Sequence, residues 1–284
     1  MNNNANLIKL GNLNEENIDT PPGKRRSDKH VPSHVRPDTL FTFTTKMKYI
    51  VETLENKMVA PRYVEEDVLY LKDSRIKKLA IPMKCFCDIP LNKIEYHTEW
   101  YGSFGLAFKK EWGIKNNLQP VQYLNGKSPL AEALSKAFKV SIKGLSEETP
   151  QEIALKDFLA NQILFSKPYT GFQKDVKGKR RKKCFGDECE WRYVPDMTEA
   201  NYKQCYLIDH LNNNVSFRDI SNSLSKNRLV SLPFDWNDLK YIILPKVQDL
   251  DEFQTIINNF NYTSEEKQLL LGKVLIWETI RDDM

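Results

Sequence analysis

The 284-residue sequence predicts an α+β fold, a mixed and mainly antiparallel sheet with flanking helices, forming a single domain behind a disordered N-terminal arm. Three observations predict it. Short β-type runs interleave irregularly with amphipathic helical stretches instead of alternating in β-α pairs. Helix-start signals stand at Ser128-Pro129 and at Pro150. The residues AVILMFWYC make up 40% and charged residues 28%, so the chain can bury a core.

The arm is placed at 1–37, where the asparagine-rich start MNNNANLIKL leads into TPPGKRR and two more prolines without an apolar period. The domain is placed at 38–284. It opens with the β-type run LFTFT, followed by a helix that sets Met47, Ile50, Val51, Leu54 and Met58 at spacings of three and four. LAIPMKCFCDIP (79–90), SFGLAFKKEW (103–112) and PVQYL (120–124) read as strands expected to pair. Between the first two, LNKIEYHTEWYG reads as a short helix with His97 and Tyr101 on one face, at i and i+4. LAEALSKAFKVSI behind Ser128 and PQEIALKDFLANQILF behind Pro150 read as helices covering the sheet. Further on, residues 188–194, RLVSLPF and LKYIILP read as strands, and DLDEFQTIINNF and SEEKQLLL as helices.

Charge is concentrated in one place. The net charge is +4, but residues 174–183 (KDVKGKRRKK) carry seven basic residues against Asp175, so the remainder of the chain sums to −2. A protein with one basic segment lacks the basic face of a general nucleic-acid binder. The segment is expected as a solvated basic loop, with Lys179, Arg180, Arg181, Lys182 and Lys183 open to phosphate or nucleic-acid contact. No apolar stretch is long enough to span a bilayer and no signal peptide opens the chain, so no membrane partner and a cytoplasmic location are expected. Five cysteines are an odd number for a disulfide framework and read as reduced thiols. Cys85-x-Cys87 lacks the spacing of a zinc knuckle and sits in an apolar strand, so no metal site is expected.

The chemistry-bearing residues form two islands. In GDECEWR, a strand places Glu188, Glu190 and Arg192 on one face, with Trp191 and Tyr193 on the other. Two carboxylates in a row suit chemistry at a ribose, one steadying a developing positive charge and the other orienting a nucleophile. The same row also reads as a solvated strand face with local ion pairs. In the other island His97 pairs with Tyr101, and Asp88 ends a strand, where it serves as a turn former or a ligand contact. There is no Walker A sequence and no G-x-G-x-x-G fingerprint. The expectation is that both islands converge on one cleft, with the aromatic edge of the DECEWR ribbon anchored in the interior.

The succession LFTFT, Glu65-Glu66-Asp67, IPMKCFCDIPL, His97, YGSFGLAFKKEWG, Pro120-Val121-x-Tyr123 and GDECEWRYVP resembles the AbiGi abortive-infection family over about residues 40–280. The resemblance implies phage defence in a bacterial cytoplasm, as the antitoxin or regulatory partner of a nucleotidyltransferase-like toxin encoded beside it, or of another defence-system protein. The chain is also similar in outline to ADP-ribosyltransferases of the DarT-like group, with Phe41-Thr42-Phe43 where that group carries His or Arg. That second resemblance implies NAD as cofactor, Glu190 or Glu188 as catalytic carboxylate and Tyr101 as a stacking residue. It makes the chain an effector that transfers ADP-ribose to a protein or nucleic acid, or hydrolyses NAD. From the residues themselves, Glu188, Glu190 and Arg192 are the expected working site, with His97 as a further catalytic residue and Tyr101, Asp88 and Thr42 as ligand contacts.

Overall fold

A computed structural model describes residues 32–142, 149–208 and 217–283. Residues 1–31 of the expected arm lie outside the described residues. The compact unit runs from Ser33 to Met284, and Arg36 donates to the carbonyl of Asp88 at 3.2 Å, so the last residues assigned to the arm already touch the domain.

TLFTFT is β1 (Thr39–Thr44), and the turn after it leads into α1 (Met47–Asn56), which buries Met47, Ile50 and Leu54 at the spacing read from the sequence. β2 (Met58–Val59), β3 (Arg62–Asp67) and β4 (Lys78–Cys87) follow, then α2 (Ile94–Tyr101), β5 (Phe104–Lys109) and α3 (Lys110–Lys115). Next come β6 (Gln119–Pro120), β7 (Gln122–Leu124), α4 (Pro129–Ser141) and α5 (Pro150–Leu164). β8 (Ser166–Pro168), β9 (Thr170–Lys174), β10 (Arg180–Cys184) and β11 (Glu190–Tyr193) cross the middle of the chain. β12 (Tyr206–Leu207), β13 (Leu232–Pro233), β14 (Leu239–Leu244) and β15 (Val274–Ile276) complete the strands, with helices at Phe217–Leu224, Gln248–Asn258 and Ser264–Leu271 between them.

Nine strands make one sheet in the order β15-β14-β5-β1-β4-β11-β6, with β3 and β12 joined to β4. Within it only β14 with β15 is parallel. The expected α+β class with a mainly antiparallel sheet is what the chain adopts. β4 is the spine. Lys78–Met83 pair with β3, whereas β1 meets β4 only at Phe41 opposite Cys87. β1 and β3 therefore part along Lys84, Cys85 and Phe86, which pair with β11 on their other side. One face of the sheet packs Phe86, Phe108 and Trp112 against α1 and Phe253, forming the main core. Residues directly opposite in a ladder share a face, so Arg192 with Cys85, Glu190 with Cys87, and Glu66 with Leu79 all lie on the other face.

Several boundaries differ from the reading above, each for a local reason. The strand expected over 103–112 stops at Lys109, because Glu111 favours a helix first turn and Trp112 turns inward to donate to the Pro233 carbonyl at 3.1 Å. The strand expected from Glu188 begins only at Glu190: Phe185–Glu188 form a 3-10 turn, and Cys189 takes a left-handed φ of 45°. RLVSLPF is mostly a 3-10 turn, Arg228–Val230, capped by Asn227, with Leu232–Pro233 as a two-residue strand. Ser128 caps α4 as expected, accepting from the Ala131 amide at 3.2 Å. α5 has Pro150 at its first turn and also a capping box between Thr149 and Glu152. Among the described residues no helix is long and apolar enough to cross a membrane.

Candidate functional site

The short turn at Phe185–Glu188 and the left-handed Cys189 swing Glu188 back over β11, so that Glu188 and Glu190 reach the same ammonium. Lys167 of β8 stands 2.8 Å from Glu188 Oε2 and 2.9 Å from Glu190 Oε2. Arg192 directs Nε to Glu190 Oε1 at 2.9 Å and Nη2 to Glu66 Oε1 at 3.3 Å, and its Nη1 donates to the Leu164 carbonyl at 2.6 Å. Lys183 of β10 meets Glu188 Oε1 at 2.6 Å, and the Tyr101 hydroxyl bonds that same oxygen. Three carboxylates and three cations thus interlock, all buried, and the Arg192 side chain has no exposed surface. A balanced, hydrogen-bonded set is the arrangement in which buried charge is tolerable.

The electrostatics follow from burial opposed by neighbours. Burial alone would raise Glu190, but Arg192 and Lys167 outweigh it and hold the carboxyl well below the usual range. Glu188 is likewise lowered, with Lys167 overcoming burial and the repulsion of Glu190. Glu66 goes the other way: it stands 3.9 Å from Lys167, and burial prevails over Lys167 and Arg192 to raise it. Lys167 is raised because Glu190, Glu66 and Glu188 overcome the cost of its burial. The Cys85 thiol is pushed up by burial and by Glu190, its hydrogen-bond partner, and so stays a neutral donor.

A cavity of about 450 Å3 opens over this cluster at the split between β1 and β3. Glu66, Glu188 and Glu190 form its polar floor, with Lys167. Phe41, Phe43, Phe172 and Phe185 supply aromatic wall, and Thr42, His97 and Tyr101 also border it. His97 and Tyr101 do lie on one face of α2, with ring centroids 4.6 Å apart. Burial lowers the His97 pKa to about 4, so the imidazole is neutral in the fold. Gly102 ends α2 at φ 102°, and a Cβ there would sit 2.3 Å from the Thr44 carbonyl oxygen, so only glycine brings Tyr101 this close to β1.

Of the residues singled out from the sequence, Glu188, Glu190, His97, Tyr101 and Thr42 border the one cavity, with Arg192 beneath it. Trp191 and Tyr193 pack against the main core on the opposite face. Asp88 is not part of the group. It is buried in a pair with Lys110 at 2.8 Å, and its amide bonds the Cys189 carbonyl, which holds the end of β4 against the turn before β11.

The expected solvated loop at 174–183 is instead a hairpin of β9 and β10. Asp175 Oδ1 accepts from the amides of Lys177 and Lys179, and Gly178 supplies a φ of 79°. Lys183 is buried in the cluster, Arg181 pairs with Glu99 and Asp175 over the Trp100 ring, and Arg180 stacks on Phe172. Lys179, Arg180 and Lys182 are exposed, the placement read for them from the sequence. Cys85 and Cys87 are core residues of β4, and among the described residues no three His, Cys, Asp or Glu side chains are placed to hold a metal ion.

Sequence reasoning missed Lys167 and Glu66. Lys167 is a single charge in a three-residue strand and Glu66 the middle of three consecutive acids, and both patterns read as solvent-facing.

Residues 56–245, which contain the whole cluster, match a family model described as "Putative abortive phage resistance protein AbiGi, antitoxin". The chain belongs to the AbiGi family. An abortive phage resistance protein AbiGi from Lactococcus lactis subsp. cremoris is 33% identical over 244 residues, covering 78% of this chain and 98% of that protein. Membership sets the chain in antiviral defence by abortive infection. No solved structure matches it. The outline similarity to ADP-ribosyltransferases gains nothing from the family match, which points to AbiGi alone.

Proposed function

We propose that the chain acts in the cytoplasm as the toxin-binding partner of an abortive-infection pair. The observation that carries this reading is a group of large apolar side chains on α4 and α5 that are exposed among the described residues. The C-terminal half of α5 buries Leu159, Ile163 and Leu164 in a core shared with Leu134 of α4. Its N-terminal half projects, leaving Leu155 53% and Phe158 61% exposed at i and i+3, with Ile153 also exposed. On α4, Leu130 and Val140 are exposed as well. Large apolar side chains grouped on a projecting helix suit a protein partner, and the family description names an antitoxin. The test is co-expression of the tagged chain with the product of the gene beside its own, which this reading expects to be a toxin. Co-purification and relief of growth arrest support the reading, provided that Leu155→Glu with Phe158→Glu reduces recovery about tenfold and leaves the melting temperature unchanged. Absence of both co-purification and relief removes it.

A second reading, chemistry at the ribose of NAD, draws on Glu188, Glu190, Tyr101 and His97 sharing one cavity. Both carboxylates are engaged by Lys167, so this reaction requires the ammonium to move aside. Nicotinamide release abolished by Glu190→Gln would support it, and no release from NAD would end it.

A further inference from the structure

A second cavity, of about 640 Å3, lies on the α1 side of the sheet. Its lining carries Arg62, Lys84, Lys226 and Arg228 against a single acid, Glu52. It shares Thr42, Phe43, Ala60, Arg62 and Lys84 with the 450 Å3 chamber, so the two cavities meet where β1 and β3 part. Together they form one cleft with an excess of cations at one end and an aromatic wall at the other.

Lys84 is the informative residue. It stands half-buried at the seam, and among the described residues its ammonium has no carboxylate or hydrogen-bond partner. Burial, together with the nearby Arg62, lowers its pKa. A half-buried ammonium beside a second cation is an unfavourable arrangement that a bound anion would relieve. The Arg62 guanidinium is steadied by the Asn222 side chain. On the other side of the split, the three carboxylates of the buried cluster are matched by three cations, so the chamber does not repel an anion through them. The aromatic residues facing that chamber include Phe43 and Phe172. A pocket of this size with cations at one end and flat apolar rings at the other fits a small molecule that joins phosphate to a planar base.

We propose that this cleft binds a nucleotide, with its phosphate groups on Lys84 and Arg62 and its base between Phe43 and Phe172. The proposal does not rest on the toxin partnership. It asks only for binding, so nicotinamide release is not its readout.

The experiment is calorimetric titration of the full chain with AMP, ADP and NAD, with adenosine and pyrophosphate as the two half-ligands. At least one nucleotide is expected to saturate, with adenosine and pyrophosphate each about tenfold weaker or worse. Lys84→Met should weaken the nucleotide about tenfold or more, and because Lys84 has no partner to lose, its melting temperature should hold or rise. Phe172→Ala, on an exposed ring, should weaken the nucleotide while leaving pyrophosphate unchanged. The proposal is overturned if no nucleotide saturates by about 1 mM, if a folded Lys84→Met binds as well as the natural chain, or if pyrophosphate alone binds as tightly as the nucleotide.

Discussion

Lys167→Met keeps the length of the side chain and removes the one ammonium that bridges both glutamates of the DECEWR ribbon. Its partners are Glu188 at 2.8 Å and Glu190 at 2.9 Å, with Glu66 at 3.9 Å, and every one of these side chains is less than a tenth exposed. In the variant three carboxylates face only Lys183 and Arg192, one negative charge in excess. Removing one partner of a buried pair costs about 3–5 kcal/mol. In a domain of this length each kcal/mol shifts the melting temperature by roughly 2–4 °C, so a fall of about 6–20 °C is expected. The pH dependence has a definite sign. Burial favours a protonated Glu190, yet Arg192 and Lys167 hold it ionised, so its contribution is present above the ordinary carboxylate pKa and is lost as pH falls through its lowered folded value. The gap between natural chain and variant is therefore widest near neutrality and narrows in acid. Urea unfolding followed by circular dichroism at pH 7.5 and pH 3 measures both, and Lys167→Met with Glu190→Gln should recover more than about 1 kcal/mol. A loss under about 1 kcal/mol, or no recovery in the double variant, would mean that Lys167 is hydrated and that the cluster is not the interlocked unit described.

The other predictions concern the α2 side of the cavity. His97 is neutral in the fold with a pKa near 4, whereas the unfolded chain takes up a proton at about 6.5, so stability falls as pH drops across that window. The difference converts to roughly 3 kcal/mol, and His97→Phe should flatten that slope in melts taken from pH 7 to pH 4. Gly102→Ala places a Cβ 2.3 Å from the Thr44 carbonyl oxygen at a φ of 102°. Neither backbone can yield cheaply, so a loss of about 3 kcal/mol or more is expected in the same unfolding assay, and a loss below about 1 kcal/mol would show that α2 slides along β1.

Much of the fold was legible because its elements announce themselves locally. The 3-and-4 spacing in α1, the Ser128 cap and Pro150 each act within one or two turns, where the physics is short-ranged. The strand-helix boundary at Lys109 was not legible, because the pull on Trp112 comes from the carbonyl of Pro233, far along the chain. The site divides in the same way. Glu190, Trp191, Arg192 and Tyr193 alternate on β11 as the pleat requires, and this placed acid on one face and aromatic rings on the other. Glu188 reaches the same place by another route, through a left-handed Cys189 that strand periodicity cannot contain. Lys183 was misread because seven basic residues in ten look like a solvated run, although Asp175 and Gly178 already spell a tight turn. Given that turn, alternation on β10 sends Arg181 and Lys183 to one side and Lys182 to the other, and only the first two find acids and the Trp100 ring. Lys167 and Glu66 carried no local signal at all. What selects them is the requirement that three buried carboxylates and three buried cations balance, a condition set by the whole sheet and by no single stretch of sequence.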